Sequence, residues 1–125
     1  MLKKTITYED FDGNQRTEDF YFNLTKAEII EMEVSVDGGL SETLKKIVED
    51  GDKKRIIEAL KDIIIKAYGV KSQDGTKFIK NDKLREEFIN SAAYSEIFME
   101  LATNESAAIA FVNGIIPKVP KEGQK

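Results

Sequence analysis

The sequence predicts an α+β fold, an N-terminal β-hairpin followed by a mostly α-helical bundle. Three observations predict it. Residues 2 to 22 alternate in polarity and are rich in β-branched and aromatic side chains, as in "TITY" and "DFYF". From Thr25 onward, apolar residues recur at three- and four-residue spacing instead. The strands precede the helices without the strand–helix alternation that builds parallel sheets.

The hairpin comes first. Ile6, Tyr8, Phe20 and Phe22 are all even-numbered, so they share a face only if paired residues have an even index sum. A two-residue Asp12-Gly13 turn breaks that parity. A three-residue loop, Asp12-Gly13-Asn14, keeps it, pairs Ile6 with Phe20, and asks Asn14 to take the left-handed conformation that asparagine tolerates. Tyr21 and Phe11 then point the other way.

Thr25 and Glu28 form a T-x-x-E capping box, which opens a helix to about Val34. Asp37–Gly39 breaks the chain. A second helix covers about Leu40 to Asp50 and stops at Gly51. The third has Ile56, Ile57, Leu60, Ile63, Ile64, Ala67 and Tyr68 at helical spacing, with Gly69 as its terminating glycine. "VKSQDGTKFIK" is a second, shorter hairpin or a hooked loop around Asp74-Gly75. Asn81 caps a short helix to about Ile89. Tyr94, Ile97, Phe98 and Leu101 form the stripe of the next. Asn104 caps a last helix carrying Ala108, Phe111 and Val112, which Gly114 ends. We expect one domain over 1–117 and a flexible tail over 118–125.

Composition narrows the function. The 125-residue chain can bury a core without disulfides or metal. Its net charge of −4 argues against nucleic-acid binding, which needs clustered Lys and Arg. It has no histidine and no cysteine, so the commonest general base, the thiolate nucleophile and the usual transition-metal ligands are missing. No run approaches the ~18 apolar residues of a membrane helix. The N-terminus has no signal-peptide core, so the expected location is the cytoplasm.

Individual motifs point away from catalysis. "DFDGN" spaces its carboxylates like a calcium loop, but position six is Gln15 and position twelve is Tyr21. A hairpin turn explains it better. Glu9, Glu18 and Asp19 read as a solvated hairpin face with Arg16 and Thr17 as neighbours. The serines have no histidine to activate them and match no nucleophile motif. "NLT" and "NES" sit at helix starts, where Asn and Thr serve as caps. No catalytic, cofactor-binding or metal residue is expected.

What remains is contact surface. Ile65 falls off the main stripe of its helix, and Met99 falls off the Tyr94–Leu101 stripe. Such residues are either core in a thick helical layer or a patch for a partner. Alanines at 107, 108 and 110 would let a neighbouring helix approach closely. The residues assigned to a partner-binding patch are Ile65, Tyr94, Phe98, Met99 and Phe111. Self-association is also expected, from the small sheet and the apolar excess on the third helix, and an exposed hairpin edge would invite pairing between subunits.

Four segments, "TITYEDFDGNQRTEDFYFNLTKAEIIEME", "GGLSE", "AYGVKSQDGTKFIKN" and "AYSEIFMELATNESAAIAFVNGIIP", resemble the tail assembly chaperones of long-tailed bacteriophages and prophages of low-GC Gram-positive bacteria. The resemblance runs to about Pro117 and rests on the order of segments, not on a catalytic signature. It implies a non-enzymatic protein of the host cytoplasm that needs no cofactor. It would bind the tape measure protein, keep it soluble, help tail-tube subunits (the major tail protein) assemble around it, and be absent from the finished virion. It also implies, for many members, a longer form made by ribosomal frameshifting. Two rivals stand beside this reading. One is a structural tail protein, tube or completion, that stays in the virion. The other is a small enzyme built on Glu or Lys.

Overall fold

A computed structural model describes residues 1–33 and 53–117. The predicted helix over Leu40–Asp50, the break at Asp37–Gly39, Gly51 and the tail 118–125 lie outside the described residues. The elements are β1 (Leu2–Glu9), β2 (Gln15–Phe22), α1 (Lys26–Glu33), α2 (Lys53–Ala67), β3 (Tyr68–Lys71), β4 (Phe78–Ile79), α3 (Asp82–Ile89), α4 (Ala92–Thr103) and α5 (Glu105–Ile115). This is the α+β order the sequence predicted.

The N-terminal hairpin forms with its even-numbered residues on one face, but two residues out of the predicted register. Ile6 pairs with Glu18, and Phe20 with Lys4. The loop has three residues, as expected, but they are Phe11, Asp12 and Gly13. Asp10 donates its N–H to the Asn14 carbonyl at 2.8 Å, closing it. The left-handed residue is Gly13, at φ +85°, and not Asn14. Glycine takes that conformation without a Cβ penalty. The Asp10 carboxylate then locks the turn by accepting the N–H groups of Asp12 and Asn14, each at 2.9 Å. Even parity survives either placement, so Leu2, Ile6, Tyr8, Phe20 and Phe22 still share a face.

The second hairpin forms around Gly75, at φ +76°, with Val70 opposite Ile79 and Lys71 opposite Phe78. It joins the first through two pairs, Tyr21 with Gly69 and Phe22 with Tyr68. The result is one antiparallel sheet in the order β1-β2-β3-β4. Beyond Tyr21 the strands β2 and β3 part, which opens a cleft.

Two glycines do different work from that predicted. Gly69 does not end α2 in a left-handed turn. The helix ends at Ala67 and the chain enters β3 directly. A Cβ on Gly69 would stand 2.7 Å from the Phe78 ring and 2.9 Å from the Ile79 carbonyl, so the residue is small because β4 lies against it. Gly114 does not end α5 but sits inside it, where a Cβ would come within 3.1 Å of Leu2. It lets the last helix approach the start of β1.

The caps follow the sequence. Glu28 Oε1 accepts the Thr25 N–H at 2.8 Å, and Thr25 Oγ1 accepts the Glu28 N–H at 3.1 Å. Asn81 accepts from Leu84 at 2.8 Å and Asn104 from Ala107 at 3.0 Å. Each satisfies an amide that the first helical turn leaves open.

The helices cover the even face of the hairpin. Ile6, Phe22 and Leu24 meet Leu60, Ile63 and Ile64 of α2, Phe88 of α3, Ile97 and Leu101 of α4, and Ala108, Phe111, Val112 and Ile115 of α5 in one core. Lys4 on β1 pairs with Glu100 on α4 at 3.0 Å. The far face of the hairpin is polar and exposed, with Thr5 bonded to Asp19 and Thr7 to Thr17.

Candidate functional site

Eight of the eleven Phe and Tyr side chains form one contact network. Phe88 is its hub. Its ring stacks on Tyr68 at 4.1 Å and 7° and meets Phe20 and Phe22 at 5.9 Å and Tyr94 at 5.3 Å. Tyr94 continues to Phe98 at 6.0 Å, Phe20 to Tyr8 at 6.5 Å, and Phe22 to Phe111 at 5.1 Å. These tilted and edge-on geometries suit the ring quadrupoles. The network is buried at Phe22, Phe88 and Phe111 and half-buried at Tyr8, Phe20, Tyr68, Tyr94 and Phe98. It therefore runs from the core to the surface.

The five residues assigned to a contact patch separate. Tyr94 and Phe98 stand one turn apart on α4 and touch. Met99 projects beyond them, 53% exposed. Ile65 is half-buried on α2. Phe111 departs from the expectation. It is 2% exposed and held against Phe22, because its face of α5 turns onto the sheet. It supports the core and offers no surface. The sequence reading passed over Phe88, although Leu84 and Phe88 form an i,i+4 apolar pair. It also gave no role to the loop residue Phe11, 83% exposed at the hairpin tip.

Two open clefts lie on the described surface, the first of them beside the network. One, about 450 Å³, lies where β2 and β3 part, between Phe20, Tyr21, Tyr68, Gly69 and Val70. The other, about 260 Å³, lies between α1, the end of α2 and α3, with Glu28, Glu31, Lys66 and Arg85 among its walls.

The perturbed titratable groups belong to turns, caps and the ring network. The Arg16 guanidinium, 2.6 Å away, and the turn amides hold Asp10 below the usual carboxylate range. The Thr76 amide and two hydroxyls do the same for Asp74. A hydrogen bond to Glu18 at 2.6 Å, with some burial, raises the Tyr8 phenol. Burial raises Tyr68 and Tyr94, helped by Glu87 and Asp62 respectively. Lys80 is the most enclosed charge of these. Its ammonium donates to Asn23 O, Glu28 Oε2 and Lys66 O, each at 2.8 Å. Burial holds it below the ordinary lysine value against the pull of Glu28. Three acceptors around one nitrogen require three N–H groups, so the charged form is the one the fold binds.

Among the described residues, no three Asp or Glu side chains converge as a metal site would need. No helix among the described residues is long and apolar enough to cross a membrane. The aromatic network runs from the core to the surface, where it borders the cleft between β2 and β3. A family profile described as phage tail assembly chaperone matches residues 1–122, and the chain belongs to that family. No curated protein and no solved structure matches it.

Proposed function

We propose that this chain binds the tape measure protein of its own phage in the host cytoplasm, keeps it soluble, and hands it to tail-tube assembly. The observation that carries the reading is the Phe88–Tyr94–Phe98 run, which ends in the exposed Met99 on α4. Rigid aromatic area beside an adaptable thioether is the composition favoured at protein contacts. An amphipathic partner helix could lie along it. The mechanism is mass action. Binding lowers the free concentration of the aggregating chain, and no nucleotide or cofactor is required. The major tail protein is a second partner of this reading, met when tube subunits assemble.

The test is co-expression with the tape measure protein from the same genome, followed by pull-down and a solubility measurement. Wild type should render it soluble and co-purify with it. Met99→Asp, at an exposed position, should weaken capture without unfolding the chain. A tape measure that stays insoluble and unbound would remove this partner. Detection of the chain in purified virions would favour the rival role of a retained tail component.

A further inference from the structure

The outer edge of β1 is an unusually complete strand edge. It has eight residues, no proline, and an unbroken register with β2. Proteins normally blunt such edges by shortness, bulges, proline or charge, and of these β1 carries only charge, at Lys3, Lys4 and Glu9. The hairpin geometry fixes which groups it offers. Asp10 bonds Asn14 across the ladder, and hydrogen-bonded pairs recur at every second residue of an antiparallel ladder. The even residues of β1 therefore bond to β2. The N–H and C=O groups of Lys3, Thr5, Thr7 and Glu9 point outward, and among the described residues they have no partner.

The same four side chains are all exposed. Lys3 and Glu9 stand at opposite ends of the edge, and neither has an ion-pair partner among the described residues. An edge with one unpaired positive end and one unpaired negative end is complementary to itself in antiparallel orientation.

We propose that β1 is the interface between two copies of this chain, joined edge to edge about a two-fold axis at Ile6. In that register Lys3 faces Glu9 of the second copy, Thr5 faces Thr7, and both relations occur twice. All four odd positions fall in hydrogen-bonded pairs, as their outward-pointing groups require. Ile6 meets its own copy in the close, non-bonded pair, on the helix-covered side. The alternatives are worse. Registers centred between two residues set the solvent face of one copy against the helix-covered face of the other. Centring on Thr5 leaves Lys3 against Thr7, and centring on Thr7 leaves Glu9 against Thr5, so neither matches the charges. A two-fold pairing uses both β1 edges and closes as a dimer. The inference does not depend on which tail protein the chain binds.

Sedimentation of the full chain over a range of concentrations tests it. Wild type should be a dimer. Lys3→Glu places like charges opposite each other twice and should raise the dissociation constant by roughly tenfold or more. The double variant Lys3→Glu/Glu9→Lys should restore the dimer. Lys3 and Glu9 do not touch within one chain, so only contact between chains explains such a rescue. Thr5→Pro removes an outward N–H and the exposed side-chain bond to Asp19 but leaves the backbone ladder of β1 and β2 intact, and should give a folded monomer by circular dichroism. A wild type that stays monomeric, a Lys3→Glu variant that still dimerises as before, or a double variant that fails to recover would each overturn the proposal. Capture of the tape measure protein by the monomeric variant is a separate readout, so either reading can fail alone.

Discussion

Lys80 and Glu28 are joined by a 2.8 Å ion pair across 52 residues of sequence. Glu28 is at once the N3 residue of the α1 capping box and the partner of the Lys80 ammonium. That ammonium also binds the Asn23 carbonyl, just after β2, and the Lys66 carbonyl in the last turn of α2. One side chain from the β4–α3 connection thus ties together the entry to α1 and the exit of α2. A cation at a helix C-terminus also meets the negative end of its dipole.

Replacing Lys80 with Met should lower the unfolding free energy by about 1–3 kcal/mol, because two carbonyls and a carboxylate lose their donor together. Urea denaturation measures it. A change within experimental error would mean that water replaces the ammonium at no cost.

Glu28 gives the chain an acid-sensitive contact. Burial raises its carboxyl, but the Lys80 ammonium and the Thr25 groups outweigh burial and hold the folded value below the ordinary 4.5. The unfolded chain therefore takes up this proton first, and stability falls as pH falls. The contribution is complete above about pH 4.5 and is lost as pH drops through the folded value. The stability difference between wild type and Glu28→Gln should be constant from neutral pH down to that point and shrink below it. Denaturation curves at a series of pH values check the sign.

Gly69 and Gly114 should respond oppositely to alanine. At Gly69 the new methyl meets a ring and a backbone carbonyl closer than van der Waals contact. Gly69→Ala should cost about 1–3 kcal/mol through overpacking. At Gly114 the neighbour is the flexible, half-exposed Leu2 side chain, which can turn aside. Gly114→Ala should gain up to about 1 kcal/mol from helix propensity. Equal effects of the same sign would contradict these two packing accounts.

Phe88→Ala should be the most damaging single core change, at about 3–5 kcal/mol. It removes the ring that Phe20, Phe22, Tyr68 and Tyr94 all touch. Near-UV circular dichroism of the tyrosines should weaken with it, since Tyr68 loses its stacked neighbour and Tyr94 its edge-on one.

Local chemistry was legible in the sequence. The Thr25–Glu28 box, the Asn81 and Asn104 caps and the shared face of the even hairpin residues depend on neighbours within a few positions, and they stand as read. The hairpin register slipped by two because the same "DFDGN" admits three-residue loops at two placements of equal parity. Which residue turns left-handed decides between them, and glycine outcompetes asparagine. Gly69 and Gly114 misled because a glycine near a helix end looks like a stop, while its actual neighbours, Phe78 and Leu2, come from other segments. The joining of both hairpins into one sheet, and the contacts of Lys80, leave no local trace. Within the candidate patch, helical spacing grouped Tyr94 with Phe98 correctly. It could not reveal that the stripe of Phe111 faces the sheet.

The bond from the Leu24 amide to the Ile115 carbonyl, 2.8 Å long, sets a schedule for synthesis. Leu24 and Ile115 are 91 positions apart, 115 less 24. At bacterial elongation rates of roughly 5–20 residues per second, that interval is on the order of 5–20 s. Throughout it the nascent hairpin carries Phe20 and Phe22 without the helix that finally seals them. A member of the tail assembly chaperone family must therefore itself wait, partly uncovered, for its own last helix to leave the ribosome.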